Sequence, residues 1–350
     1  MAYRAPSRSH EERVSGRSAT AGKLILGIKM TILIISDQFD THADVVQEKL
    51  ITNGSYVFRI NLDVDSLKAT TISYVDGGWK ISCGGTTLRG NEVRCVWCRR
   101  TSVSLTAEQQ VDLSNGFRLW RSEWNRVLFG FYNSIQNAEW MNNIRQATLA
   151  DNKYFQMIVA ISCGLNMPET VTSNDRSVLT NFAREQGLVA LKFMSQDMYH
   201  LHDNSIAGLY VNKVDAEAFL EFSDSGENPV TLQRYVDKDF EVRYTYVDGE
   251  AFVCKIESQK SPKTMTDWRR YDVKNTPHTA ICPPESVAAA VKLLMSKLDL
   301  RFGAIDFIVD KSGVWWFLEV NTAGQWLWIE DLSGLKISDS IATSLAKHAA

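Results

Sequence analysis

Three oxygen-bearing side chains stand out in two neighbouring apolar segments: Asp306 in GAIDFIVD, and Glu319 and Asn321 in FLEVN. Side chains of a strand alternate between its faces, so Glu319 and Asn321 share one face, and a hairpin at residues 311–313 would bring Asp306 beside them. Mg²⁺ prefers such oxygen donors together with nucleotide phosphates. Unpaired acids among apolar neighbours would be costly without a cation. The pattern therefore predicts a magnesium site, with a polar solvent-facing strand as the alternative.

Two lysines occupy positions where nucleotide phosphates would need positive charge. Lys192 lies inside the strand-like run LVALKFM, where burying a charge is expensive unless it meets an anion. Lys153 lies in DNKYFQM, at the start of an expected helix. Either could instead cover apolar surface with its stem and keep its ammonium in water. The metal trio favours phosphate binding by both lysines.

The segment LQRYVDKDFEVRYTYV could contact a nucleotide at two points. Glu241 and Arg243 are two residues apart and share one strand face. An arginine can hold a phosphate or carboxylate through two hydrogen bonds, and backbone groups near Gln233 could read an adenine edge. The alternative is a ladder of ion pairs on the surface.

Composition excludes several other classes of protein. The chain has 350 residues, 45% of them hydrophobic, and a net charge of −3, so two or three domains and no nucleic-acid partner are expected. No segment approaches the about 18 uninterrupted apolar residues that span a bilayer, so we expect no membrane association and a cytoplasmic protein. The six cysteines are expected to be reduced and buried, and Cys95 and Cys98 lack the second pair of a zinc finger.

Hydrophobic periodicity predicts a small α/β unit in the first half. After an arginine-containing extension, TILIIS is interpreted as a buried strand, DQFDTHADVVQEKLITNG as a helix that stops at Gly54, and YVFRINLD as a strand. A hairpin, GGWKISCGGTTLRG, and a strand, EVRCVWCRR, follow. One long amphipathic helix over TAEQQVDLSNGFRLWRSEWNRVLFGFYNSI would direct these residues into the core: Leu113, Phe117, Trp120, Trp124, Leu128 and Phe131.

The second half is predicted to be rich in strands. A single helix is expected over ATLADNKYFQMIVAISCG, then an extended MPETVTS and a helix over DRSVLTNFAREQG. Strands LVALKFM, GLYVNKV, VTLQRYV, FEVRYTYVDG and EAFVCKIESQ follow, with a hairpin turn at Asp248 and Gly249. The helix ESVAAAVKLLMSKLD, the hairpin that carries the metal trio, and the helix SDSIATSLAKHA close the chain.

These residues, in this order, resemble the ATP-grasp fold: Lys153, Lys192, the segment QRYV, the strand EVR, Asp306, and Glu319-Val320-Asn321. Longer segments resemble one family within it, the graspetide (microviridin-type) macrocyclases, which cross-link ribosomally synthesised peptides (RiPPs). Those segments are SDQFDTHADVV, NNIRQATLADNKYFQMIVAISCGLNMPETVTSN, KIESQ followed by DWRRYD, and FGAIDFIVDKSGVWWFLEVNTAGQWLWIE. The resemblance runs from residue 30 nearly to the C-terminus.

The resemblance implies an α/β protein with an N-terminal pre-ATP-grasp domain, a central domain and a C-terminal ATP-grasp domain, which hold ATP between two antiparallel sheets. The expected boundaries are 30–137, 138–227 and 228–350, after a disordered extension over 1–29. The family's phosphate-covering loop should fall near residues 195–212.

The resemblance also implies a role for each matching residue. Arg243 would act in catalysis by steadying the γ-phosphate or the acyl phosphate, and Asp306, Glu319 and Asn321 would bind Mg²⁺. ATP would be bound by Lys153, Lys192, Gln233, Arg234, Tyr235, Val236 and Glu241. Arg269 and Arg270 are candidates for contacting an acidic core peptide, with a solvated basic turn as the alternative.

The implied reaction is activation of a peptide Asp or Glu carboxylate as an acyl phosphate, followed by closure onto a Thr, Ser or Lys side chain. The expected partner is a precursor peptide with a leader and an acidic core, the leader docking as a helix on the central domain, and a homodimer is plausible. Another ATP-grasp carboxylate-amine ligase, adding glutamate or joining amino acids, would share every nucleotide residue. A non-catalytic ATP-binding or peptide-binding module would be expected to lose a metal ligand.

Overall fold

A computed structural model of the chain describes residues 30–110, 114–192, 194, 198–200, 206–208, 212–221, 228–260 and 276–350. The N-terminal extension and the two arginines Arg269 and Arg270 lie outside these described residues. Within them the protein has the mixed α/β architecture that was predicted, with its strands arranged in five sheets. No helix within the described ranges combines the length and the apolar character needed to cross a membrane.

A parallel sheet organises the N-terminal part, in the order β2-β1-β6-β7. Its strands are β1 Thr31–Ser36, β2 Tyr56–Asn61, β6 Val93–Cys98 and β7 Glu139–Met141. All six residues of β1 are buried, as expected for a strand covered on both faces. The accompanying elements are α1 Thr41–Thr52, α2 Val64–Lys68, the antiparallel strands β3 Thr71–Val75, β4 Gly78–Cys83 and β5 Thr86–Arg89, and a 3₁₀ turn, Gly90–Glu92.

The predicted long amphipathic helix is shorter at its start than expected. A short helix, α3 Ala107–Gln110, precedes the main helix, α4 Asn115–Ser134. Ser114 has an extended backbone and its side chain accepts a hydrogen bond from the Phe117 amide, which caps a new helix. The apolar face of α4 nevertheless packs into the core, with Leu128 and Phe131 fully buried. Leu113 lies outside the described residues.

The single helix expected over ATLADNKYFQMIVAISCG is wrong: two helices form there, α5 Ile144–Ala150 and α6 Lys153–Ser162. Asn152 adopts an extended conformation and accepts a hydrogen bond from the Phe155 amide, so it caps α6. This break places Lys153 at the first position of a helix.

A small antiparallel sheet follows, in the order β12-β9-β13-β8. Its strands are β8 Thr170–Ser173, β9 Leu188–Lys192, β12 Asn212–Asp215 and β13 Val230–Arg234, accompanied by α7 Arg176–Gln186 and α8 Ala216–Glu221. The predicted phosphate-covering loop falls partly outside the described residues. Two pieces of it, β10 Met198–His200 and β11 Ile206–Gly208, pair antiparallel.

A larger antiparallel sheet fills the C-terminal part, in the order β16-β15-β14-β17-β18. Its strands are β14 Lys238–Val247, β15 Glu250–Ile256, β16 His278–Ala280, β17 Phe302–Asp310 and β18 Trp315–Asn321. Both predicted hairpins are present, with positive φ at Asp248, Gly249 and Gly313. The remaining elements are a 3₁₀ turn, Ser258–Lys260, and the helices α9 Glu285–Lys297, α10 Leu327–Ser333 and α11 Ile337–Ala349.

Two buried clusters set the position of the large sheet. One packs α6 and α9 onto it through residues such as Val159 and Leu294. The other joins Trp97 of β6 to Trp326 and Ile341 near the C-terminus. The last helix therefore packs on the N-terminal sheet, although it is remote along the chain.

Candidate functional site

The predicted metal trio lies on one face of the large sheet. Asp306 stands directly opposite Glu319, and Asn321 stands opposite Ala304, two residues from Asp306 on the same face. On the other side of β17, Arg243 stands directly opposite Asp306. Arg243, Asp306 and Glu319 therefore form a row across three neighbouring strands.

Each acid of the trio faces a basic partner. Lys153 Nζ lies 2.6 Å from Glu319 Oε2, and Arg243 Nε lies 3.3 Å from Asp306 Oδ1. The two acids are therefore not unpaired in the absence of a cation, contrary to expectation, because the chain itself supplies positive charge beside each of them. Both carboxylates stay partly exposed, so a cation with its own phosphate ligands could exchange with the basic partners.

The trio is chemically suited to Mg²⁺, because it offers two carboxylates and one amide oxygen. Its third member, Asn321, receives a hydrogen bond at Oδ1 from the Ala323 amide, 3.1 Å away, which orients the side chain. No cluster of three or more His, Cys, Asp or Glu side chains suited to a metal occurs in the described part of the chain. All six cysteines are free. The expectation that they would be buried holds only for Cys95 and Cys254: Cys83, Cys98 and Cys163 are half-buried, and Cys282 is exposed.

Glu241 shares the face of Arg243 on β14, as predicted, but both side chains are buried. This burial excludes the alternative of a solvent-exposed ladder. Glu241 forms an ion pair with Lys238 and accepts a hydrogen bond from Ser258 Oγ at 3.0 Å. Sequence reasoning missed Lys238, although its spacing of three residues from Glu241 was visible.

The small sheet carries mostly uncharged polar side chains on the face that α6 approaches. Lys192 stands opposite Thr231, and Gln233 lies two residues further along the same face. Gln233 is buried and its Nε2 donates to Thr170 Oγ1 at 2.8 Å. The Tyr154 hydroxyl lies 3.4 Å from Thr231 Oγ1, so the start of α6 approaches this face.

The segment expected to hold adenine connects the two sheets. The Tyr235 amide donates to the Leu188 carbonyl, and Val236 is buried. The side chain of Arg234 turns away from Gln233: it pairs with Glu169 and lies 4.7 Å from the centre of the Trp316 ring. The Arg234 side chain therefore contacts both sheets. Only the backbone of this residue is left to hydrogen-bond the adenine base.

Two buried amides position the trio, and sequence reasoning missed both. Gln156 of α6 accepts from the Val320 amide and donates to the Val320 carbonyl, at 2.8 and 2.7 Å, between Glu319 and Asn321. Asn142 donates to the carbonyls of Phe302 and Thr322 and accepts from the amides of Arg301 and Phe302. No local pattern marks these residues, because their partners lie about 160 residues away.

Comparisons with known proteins agree with the fold. A family model described as the MvdD pre-ATP-grasp domain matches residues 31–148. No curated protein matches the sequence. A RiPP-associated ATP-grasp ligase of Chryseobacterium gregarium, solved with ADP, a leader and a core peptide, is 25% identical with a TM-score of 0.81 over 91% of this chain and 96% of that one.

Two macrocyclases of Microcystis aeruginosa are also similar over nearly their whole length. MdnC, solved with its precursor peptide MdnA, is 25% identical with a TM-score of 0.79, covering 90% of this chain and 99% of that one. MdnB is 26% identical with a TM-score of 0.73, covering 90% and 98%. The pre-ATP-grasp match and these nearly full-length similarities show that the chain has the fold of the ATP-grasp ligases and is similar to members of that group that act on ribosomally synthesised peptides.

Proposed function

We propose that the protein is an ATP-dependent macrocyclase of a ribosomally synthesised precursor peptide. It would activate Asp or Glu side chains as acyl phosphates and join them to Thr or Ser as ω-esters, or to Lys as ω-amides. The observation that carries the proposal is the row of Arg243, Asp306 and Glu319 on the large sheet, with Lys153 against it. The similarity to ligases solved with peptide substrates supports a peptide as the carboxylate donor.

Asp306, Glu319 and Asn321 would hold Mg²⁺, since their oxygens share one face and remain accessible. The metal would offset charge on the phosphates during transfer. Lys153 and Lys192 would contact the phosphates. The backbone of residues 233–236 would hold adenine, with Gln233 oriented by Thr170.

The reaction has two steps that balance in atoms and charge. A carboxylate oxygen of the peptide attacks the γ-phosphorus, the bond to the bridging oxygen breaks, and ADP leaves. A hydroxyl or amine of the same peptide then attacks the acyl carbon, and inorganic phosphate leaves as the ester or amide forms. The proton of the nucleophile is lost to phosphate or solvent, and one carboxylate oxygen leaves with the phosphate. The peptide therefore loses the mass of one water for each ring.

The chain's own residues would act by position and charge. Arg243 is buried against Asp306 and can shift towards phosphate when the metal takes over that carboxylate. The buried ion pair of Lys238 and Glu241 lies on the same strand as Arg243 and fixes the orientation of Glu241 beside it. Such preorganised charge is the main source of catalysis in phosphoryl transfer.

The test is mass spectrometry of acidic peptides that contain Thr, Ser and Lys, incubated with the protein, ATP and Mg²⁺. We expect the loss of one water per ring, about 18 Da, matched by release of one ADP per ring. Asn321→Ala should abolish both signals, while a matched exposed change, Asn91→Ala, should leave them intact.

Other results would contradict the proposal. A gain in mass from an added amino acid, with ADP release, would identify another carboxylate-amine ligase. Water loss that persists in Asn321→Ala would contradict the assigned metal site. ATP turnover that no peptide stimulates would contradict a peptide substrate.

A further inference from the structure

Two adjoining cavities form a channel that the nucleotide site does not use. The first, about 490 Å³, opens at the carboxyl ends of β1 and β6. The second, about 900 Å³, follows helix α4. Both are lined by Thr101, Ser102, Ile144 and Thr148, so the two cavities lie side by side along this shared wall. We call the two cavities together the basic channel.

One end of the basic channel reaches the proposed reaction centre. Asp151, Thr322 and Ala323 line the first cavity. Thr322 follows the predicted metal ligand Asn321, and its hydroxyl donates to Asp151 Oδ1 at 2.9 Å. Lys153, which pairs with Glu319, lies two residues beyond Asp151. A peptide in this cavity would therefore end beside the reacting groups.

The lining is positively charged, although the whole chain carries a net charge of −3. Five arginines and two aspartates line the two cavities: Arg99, Arg100, Arg118, Arg121, Arg126, Asp37 and Asp151. Arg100 pairs with Asp37 at 3.0 Å, yet its side chain remains 52% exposed. Arg99 is different, because it is buried and paired with Asp40.

Helix α4 presents the other three arginines to the second cavity. Arg118, Arg121 and Arg126 lie on one helical face, together with Ser122, Asn125 and the exposed Phe129. None of the three forms an ion pair with another described residue. The opposite face of the helix packs Phe117, Trp120 and Trp124 on the core. The helix is thus held firmly by one face and offers charge on the other.

We propose that the basic channel binds the acidic core segment of the precursor peptide and guides its carboxylates to the reaction centre; this rests on the proposed function. The segment must carry Asp or Glu residues, which complement the arginines, and Thr or Ser residues, which suit Ser122 and Asn125. The exposed Leu119 and Phe129 could cover apolar side chains of the peptide. An extended chain, unlike a compact ligand, fits two cavities in series.

The test uses a labelled 15-residue peptide of alternating Thr and Glu and the matching Thr/Gln peptide. Fluorescence anisotropy measures their binding without ATP, to the full chain and to Arg118→Glu/Arg126→Glu. The control, Lys80→Glu/Lys292→Glu, makes the same charge change at exposed positions away from the channel. We expect the channel variant to bind the Thr/Glu peptide at least about tenfold more weakly, and the control to bind it normally.

Several outcomes would overturn the proposal. Equal binding by the channel variant and the control would do so, with folding of both verified by thermal unfolding. So would equal affinity of the protein for the Thr/Glu and Thr/Gln peptides, because charge would then be irrelevant. Stronger binding of a 15-nucleotide oligothymidylate would point to a nucleic acid instead.

Binding and turnover separate this proposal from the function itself. Normal peptide-dependent ADP release with unimpaired binding in the channel variant would refute the channel alone. Charge-dependent binding in the channel, with neither ADP release nor water loss from any peptide, would refute the macrocyclase function.

Discussion

Two buried pairs of an arginine and an aspartate lie in different parts of the protein. Arg99 and Asp40 join the N-terminal sheet to the C-terminal segment around Trp326, with 6% and 4% of their side chains exposed. Arg243 and Asp306 lie on the large sheet, with 8% and 14% exposed. The pairs have the same chemistry, but their surroundings differ.

The first pair is enclosed by other contacts. Asp40 caps α1 and accepts from Ser36 Oγ at 2.6 Å, and the Arg99 guanidinium lies over the rings of Trp97 and Trp326. The pKa of Asp40 is lowered to about 2, because Arg99 and Ser36 outweigh the effect of burial, which would raise it. This pair fastens two regions of the chain.

The second pair has a further acid and base beside it. Glu319 and its partner Lys153 continue the row, and the acids remain accessible. Under the proposed function, this row would exchange its internal partners for a metal and phosphates. The two pairs differ in what surrounds them: Arg99 and Asp40 are enclosed by further contacts, whereas Asp306 adjoins a second accessible acid, Glu319.

The largest expected effect falls on the second pair. We predict that Asp306→Asn lowers peptide-dependent ADP release by about 10³-fold, because a metal ligand worth several kcal/mol is lost. The free energy of unfolding should also fall, because Arg243 loses its charged partner, but less than in a fully enclosed pair, since Asp306 stays 14% exposed. The matched control is Asp239→Asn, at an exposed position of the same sheet. Near-normal turnover in Asp306→Asn would contradict a metal-binding role for this aspartate.

Removing the arginine of the first pair should act on stability instead. Arg99→Leu leaves the Asp40 carboxylate buried without its partner, so we predict a loss of about 3–5 kcal/mol in the free energy of unfolding, measured in urea. Arg89→Leu, at an exposed position, should change stability little. If Arg99→Leu were as stable as the native chain, the pair of Arg99 and Asp40 would not hold the N-terminal sheet and the C-terminal segment together.

A change at Gln156 should affect both the free energy of unfolding and the site, because this side chain hydrogen-bonds the strand between Glu319 and Asn321. Gln156→Leu keeps the volume but leaves buried backbone groups of Val320 unpaired. We predict a loss of about 1–3 kcal/mol in unfolding free energy, together with weaker turnover. Gln136→Leu, at an exposed position, is the control. Unchanged stability in Gln156→Leu would show that the strand does not depend on the hydrogen bonds from Gln156.

The smallest expected effect is a pH dependence of the first region. Burial, with a contribution from Arg99, lowers the pKa of His42 to about 4. Between about pH 6.5 and 4 the unfolded chain therefore binds a proton that the folded chain does not, so stability falls as pH is lowered through this window. From pH 7 to 5.5 the loss should be about 1 kcal/mol.

The variant His42→Phe isolates this effect from the other histidines. Its unfolding free energy should vary less between pH 7 and 5.5 than that of the native chain, since the ring no longer titrates. Parallel pH profiles for the two proteins would contradict the assignment of this pH dependence to His42.

Periodicity was enough to predict most strands and helices, because buried apolar side chains recur at strand or helix spacing. It missed the caps at Ser114 and Asn152, since each lies among other polar residues of an otherwise helical pattern and nothing local distinguishes it. Alternation correctly placed Asp306, Glu319 and Asn321 on one face. The basic partners of these acids could not be predicted, and neither could the roles of Asn142 and Gln156. All of them depend on contacts between remote segments, which no local pattern encodes.

The most direct test of the central claim follows oxygen from the peptide to phosphate. An acidic peptide with ¹⁸O in its side-chain carboxylates is cyclised with ATP and Mg²⁺, and the released phosphate is analysed by mass spectrometry. Activation as an acyl phosphate predicts one ¹⁸O in the phosphate for each ring formed. Phosphate without ¹⁸O, with both labelled oxygens accounted for in the peptide or in water, would contradict the account.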